Sequence, residues 1–250
     1  MKKIILLTIL ALPIHCIADD EFSEENLNKI LNKECRSISK YTTNGKQYFD
    51  QKQFNLALQQ FENQVTWSSV CSSFEEETRI KIAEKDIISA ENNVGLTYTR
   101  LGKPMLARAW FSISDESKIS QYNIKNLPPL EENSQLNATY IGYVGYGRWN
   151  TITVDQNKNH YDISFQGYAF NPKTAVLGAP NMGEFYTEMP FNSKTAVYKN
   201  TEFSDRECFI TIQFEQHQLK VTQTGYDSDC GFGGGVNSSG IYYQIESENE

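Results

Sequence analysis

The amino-acid sequence predicts an α+β chain of two domains: helical hairpins first, then an antiparallel β-barrel or sandwich. Three observations carry this. The pattern Gly45, Tyr48, Ala57, Phe61 returns as Gly95, Tyr98, Ala107, Phe111, shifted by fifty residues. Beyond Pro128 and Pro129 the helical period gives way to alternation, with tyrosine, glycine, threonine and valine dominant. Four cysteines, Cys35, Cys71, Cys208 and Cys230, follow the first hydrophobic stretch, two in each half.

The repeat is a packing pattern. Gly and Tyr three apart share one helix face, and Ala and Phe four apart share a face of the next helix. The small residue lets two backbones approach, and the aromatic fills the space beside it. The two blocks, 38–71 and 88–121, resemble the tetratricopeptide repeat. Tyr41 matches the aromatic near the start of that repeat. Asn44 replaces the family's leucine, and its terminal proline is absent from both copies. The resemblance implies that a protein partner contacts the inner face of each first helix. By position that face is Ser39, Thr42, Lys46 and Phe49, then Ser89, Asn92, Leu96 and Thr99.

Residues 1–18 read as a signal peptide. Lys2 and Lys3 precede an apolar run over 4–14, and Cys16, Ile17 and Ala18 offer a cleavage site after Ala18. Cys16 also raises a lipoprotein alternative, but His15 stands where that signal needs a small residue. The run is too short to span a bilayer, and no other stretch approaches spanning length, so the mature chain is expected not to insert. The expected address is periplasmic or secreted. The formal charge is −8, and losing Lys2 and Lys3 makes the mature chain more acidic still. Such a surface repels phosphate backbones, so nucleic acid is not an expected partner. A basic protein meets it more readily.

An even cysteine count in an exported chain implies disulfides. With the first hairpin turning near Lys52 and Gln53, Cys35 and Cys71 lie level on opposite arms, since each helix rises ~1.5 Å per residue. Cys208 and Cys230 flank a strand–turn–strand stretch. A metal site is not expected from the spacing: there is no CxxC, and only His160 and His217 survive cleavage. No cofactor is expected.

Within the helical domain, 19–117, Ser23 with Asn26 opens a first helix, and the helix of the first block follows over 36–51. Its partner covers 54–69. A capping box of Ser73 and Glu76 opens a single long helix over 74–101. Gly102 ends it, and Pro104 opens a last helix reaching 117. Residues 118–136 read as a linker. The β domain, 137–247, has candidate strands at 139–146, 150–154, 161–168, 174–177, 183–188, 195–199, 208–215 and 219–224. A ninth, 239–245, could close the sheet onto the first. The glycine-rich stretch Cys230-Gly231-Phe232-Gly233 lacks the GK[ST] and the following helix of a phosphate loop, and reads as a tight turn stapled by Cys230.

This half resembles small exported barrel domains of bacterial envelope proteins ending in a CGFG…G-x-Y pattern, here residues 230–233 and 240–242. Residues 239–243 also resemble the SGxxY segment of barrel-shaped bacterial lysozyme inhibitors. That implies Ser239 and Tyr243 as residues of an inhibitory loop. Catalysis is not expected. His160 and His217 read as exposed turn residues, and paired cysteines cannot act as nucleophiles. Glu184, Glu188, Asp227 and Asp229 leave a carboxylate-dependent wall enzyme as one alternative. Inhibition of a basic cell-wall hydrolase is the other. The leading expectation is a non-catalytic adaptor of the bacterial envelope.

Overall fold

The computed structural model describes residues 23–130, 136–202 and 206–246; the expected signal peptide lies outside them. Among the described residues seven α-helices, α1 (Glu24–Asp50), α2 (Phe54–Ser73), α3 (Glu75–Thr78), α4 (Glu84–Arg100), α5 (Pro104–Phe111), α6 (Lys118–Lys125) and α7 (Pro172–Leu177), join eight strands. The strands are β1 (Ala138–Gly145), β2 (Arg148–Asn157), β3 (His160–Ala169), β4 (Asn181–Pro190), β5 (Thr195–Asn200), β6 (Cys208–Glu215), β7 (Gln218–Thr224) and β8 (Gly240–Gln244). The architecture is α+β in two parts, with helices from the first half beside one antiparallel, barrel-like sheet.

The two helical hairpins, α1/α2 and α4/α5, are built the same way. A Cβ placed on Gly45 would sit 2.5 Å from Phe61, and one on Gly95 would sit 2.3 Å from Phe111. Each glycine is therefore the space its phenylalanine ring fills. Ala57 and Ala107 are fully buried. The turns match as well: Gln53 N–H donates to Tyr48 O, and Lys103 N–H donates to Tyr98 O. Lys52 and Gly102 both adopt the left-handed conformation, with φ of 59° and 75°.

Ser23 caps α1 by accepting from Asn26 N–H, and α1 runs unbroken through both helices expected there. Cys35 and Cys71 are bonded across the hairpin, with Cα atoms 5.7 Å apart. The single long helix expected over 74–101 is not formed. Thr78 Oγ1 donates to Phe74 O and accepts from Ile80 N–H, competing with the helical ladder. Arg79 turns left-handed (φ 56°). Ile80 and Ile82 then pack on the cluster of Leu27, Leu31, Val70 and Phe74. Two residues apart, they share one side only if the chain is extended. No side-chain cap from Ser73 opens α3; the Ser73 hydroxyl instead donates back to Ser69 O.

The helix expected to reach 117 is shorter. α5 gives way to a single 3-10 turn, Ser112–Ser114. The segment read as a linker contains α6, whose Ser120 and Asn123 are buried. Both bond Asn92 on α4. Leu127 closes the small cluster of Ala107 and Phe111.

The sheet order is β4-β3-β2-β1-β8-β7-β6-β5. β8 does pair with β1, through Tyr140–Gln244 and Ile141–Tyr243, so the last strand closes onto the first. The edges β4 and β5 meet without a backbone ladder; Thr187 Oγ1 donates to Val197 O, and the Phe185 and Tyr198 rings stack at 4.8 Å. The barrel is thus nearly closed. Alternation decides its lining: Ile163 and Phe165 point inward while Ser164 and Gln166 face out. Ile210, Ile212, Phe214, Leu219 and Val221 join the same core.

Residues 174–177, expected as a strand, are the core of α7. Asn171 and Thr174 form a reciprocal capping box, Pro172 stands in the first turn and Gly178 ends it with φ 68°. Cys208 and Cys230 are bonded, with Cα atoms 5.0 Å apart. Gly231 caps a 3-10 turn at φ 78°, which sends Phe232 into the core against Phe165.

The halves touch extensively. Tyr146, at the tip of the β1–β2 hairpin, packs with Ala175 and Val176 on the cluster beside Cys35–Cys71. Trp149 meets Trp110 edge-on at 5.3 Å. The Glu246 carboxylate accepts from Met105 and Leu106 N–H, at 2.5 and 3.1 Å, on the first turn of α5. That is where a helix carries unsatisfied donors and partial positive charge.

Candidate functional site

Where α1 ends and α4 passes, the helical half leaves a groove of about 180 Å³. Lys46, Phe49 and Asp50 line it from α1, Asn93 and Leu96 from α4, and Phe61 from α2 forms part of its wall. Spacing explains the lining. Lys46, Phe49 and Asp50 stand three and four apart, as do Asn93 and Leu96 at three, so each set shares a face. Leu96 is 38 % exposed. Phe49 contacts Phe54 at 5.4 Å, and the Arg100 guanidinium lies 6.0 Å from the Phe49 ring centre. An apolar floor between a lysine, a carboxylate and an arginine is suited to a side chain of a bound polypeptide.

Of the eight residues that the repeat pattern designates, Lys46, Phe49 and Leu96 come together here. Thr42, Ser89 and Thr99 turn their hydroxyls onto their own helix, donating to Ile38, Lys85 and Gly95 carbonyls. Ser39 is exposed, and its carbonyl accepts from Thr43. Asn92 is buried at 1 % exposure and holds α6; as an expected contact residue it is corrected to a packing residue. Asp50 and Asn93 were not designated. Their signal was present: each sits three or four residues from a designated one on the same helix.

Buried Glu91 and half-buried Glu62 lie between the helices of this half. Burial pushes the Glu62 carboxyl above its ordinary range, opposed by the Tyr98 hydroxyl and by Arg148 from the β half. Burial likewise raises Glu91, opposed by a 2.7 Å hydrogen bond from Ser114 Oγ. Tyr98 is raised by its own burial and then by Glu62. These groups tie helices together.

Ser239 is exposed in the segment just before β8, and Tyr243 lies within β8. They line a cleft of about 380 Å³ that is shared with Ala109, Ser112, Ile113 and Asp115 of the helical half. Ser239 Oγ accepts from Gln223 N–H. The carboxylates of the enzyme alternative each have their own partners. Asp227 accepts from Gly235 and Ser228 N–H, and these donors hold it below its ordinary value. Asp229 accepts from Tyr226 N–H. Glu184 lines a shallow depression on the outer face of β2–β4, and Glu188 lies beside His160. His160 and His217 are half-buried rather than exposed, each bonded to a side-chain partner.

No family model, curated protein or solved structure matches the chain.

Proposed function

We propose that the chain is an exported, non-catalytic binding protein of the bacterial cell envelope, which holds a partner protein in the groove over Phe61. The single observation that carries this is the groove itself: exposed Leu96 and half-buried Phe49 lie beside Lys46 and Asp50. The duplicated hairpin supports a tetratricopeptide-like reading, in which first helices meet the partner. The two disulfides are those of an oxidising compartment, and no helix among the described residues is long and apolar enough to cross a membrane. The acidic charge favours a basic partner.

A photo-crosslinking residue at position 96, in the native host, is expected to give one discrete protein adduct on illumination. The same residue at Tyr122, 67 % exposed on α6, is expected to give none. Asp50→Lys should weaken the adduct at 96. Equal adducts at 96 and 122, or none at 96, would end the proposal. Undiminished bacterial lysis by lysozyme at molar excess of the chain would separately remove the hydrolase-inhibitor reading.

A further inference from the structure

The hairpin joining β2 and β3 brings His160 and Asp162 to the outer face of the barrel. The register of β3 on β4 then sets Glu188 directly opposite Asp162. His160 Nε2 lies 3.0 Å from Asp162 Oδ1 and 4.0 Å from Glu188 Oε2. One ligand atom from each of the three falls within 4.8 Å of the others.

The surroundings orient each group. His160 Nδ1 is 3.3 Å from Asn159 Oδ1, which accepts the ring hydrogen in the tautomer protonated at Nδ1. In the neutral ring this leaves the Nε2 lone pair facing two carboxylate oxygens. Asp162 is itself held on both sides. Asn157 Nδ2 donates to Oδ2 at 2.8 Å, and the Tyr186 hydroxyl donates to Oδ1. Tyr186 also lies 3.4 Å from Glu188 Oε1. A ring nitrogen fixed by an outer amide, aimed at oriented carboxylates, is the arrangement metal-binding histidines adopt.

We propose that His160 Nε2, Asp162 Oδ1 and Glu188 Oε2 bind one divalent transition-metal cation of the zinc class. The donor set decides the class. One imidazole and two carboxylates suit zinc, cobalt or manganese, whereas calcium takes six or more oxygens. Bonds of about 2.1 Å in a tetrahedron place ligands ~3.4 Å apart. The small closure this needs falls to Glu188, whose side chain is 59 % exposed. The fourth position is open to solvent. Tyr186, whose hydroxyl bonds Asp162, also lines the neighbouring depression with Thr151, Thr153, Ser164, Gln166 and Glu184. The cysteine and histidine spacing of the sequence could not reveal this site, because one ligand arrives through strand pairing.

Metal-stripped full chain titrated with zinc chloride in a calorimeter is expected to bind one equivalent. His160→Gln and Glu188→Gln should each weaken that binding at least tenfold, and His217→Gln should leave it unchanged. Cobalt chloride should give visible absorption bands that His160→Gln abolishes. Unchanged thermal transitions of the variants without metal would show that they fold. No stoichiometric binding by the parent chain would mean that the three groups form only an ion pair, and would overturn the proposal. Equal binding by His160→Gln and the parent would overturn it as well, assigning the ion to the acidic surface at large.

Discussion

The two halves solve the same packing problem differently. The β half closes around one continuous apolar core, with Tyr140, Phe165, Ile210, Ile212 and Leu219 at its centre. The helical half has its apolar residues in three smaller clusters, separated by buried Glu91, Asn92, Gln64 and Ser68. Two of those clusters are completed from the other half, by Tyr146, Ala175 and Val176 in one and by Trp149 in the other. Two repeated hairpins expose an unpartnered end, and the barrel covers it. The barrel's interior takes nothing comparable in return. The lesson is that a short helical array need not cap itself when a rigid neighbour is joined in the same chain.

The largest expected effect breaks that relation outright. Residues 136–246 expressed alone should keep a cooperative thermal transition followed by near-UV circular dichroism. Residues 19–130 alone should lose theirs, because Tyr146, Trp149 and α7 are missing. A helical fragment as stable as the full chain would refute the dependence. Next come the disulfides. Replacing both cysteines of a pair by serine should cost roughly 3–4 kcal/mol for loops of this length, read by chemical denaturation. The sequence separations are 36 and 22 residues. The Cys35/Cys71 pair should loosen the helical half first; the Cys208/Cys230 pair should loosen both, since the helices lean on the barrel.

A smaller effect separates the halves by pH. Burial holds the Glu91 carboxyl above its ordinary value of 4.5. The folded state therefore binds this proton more tightly than the unfolded state. The contribution is favourable below 4.5 and is lost as pH rises through the raised value. Glu91→Gln should flatten that part of the stability profile and raise stability at pH 7. An unaltered profile would mean that the burial is compensated elsewhere.

The smallest effect tests the duplication itself. Lys52 holds the left-handed position that Gly102 holds in the second hairpin. Lys52→Gly should stabilise the chain by about 0.5–1 kcal/mol, since a side chain is strained there. A loss of stability would mean that the two turns are not equivalent.

Much of this was legible from residue order alone because it depends on local periods. Alternation over 208–224 identifies the Ile210 and Leu219 face, since side chains along a strand change sides at every step. Gly45 and Phe61 identify the hairpin contact for the same kind of reason, and so does the Gly95–Phe111 pair. The capping signals of Asn171, Pro172, Thr174 and Gly178 were equally present, but the apolar run between them reads as a strand until the caps are given more weight. The break at Arg79 was not legible, because it is decided by where Ile80 and Ile82 find a partner surface. Nor was the role of α6, whose polar sequence becomes interior only when Asn92 stands opposite it.

Amino-acid order determined the two kinds of secondary structure, the pairing of cysteines across each local turn, and the phase of both apolar faces. Each rests on residues close along the chain, where geometry leaves few choices. Tertiary structure alone decided which helix ends lean on the barrel, which three polar residues meet on β3 and β4, and where the groove over Phe61 opens. These depend on contacts between segments far apart in the chain, and no local period encodes which distant surface a face will meet.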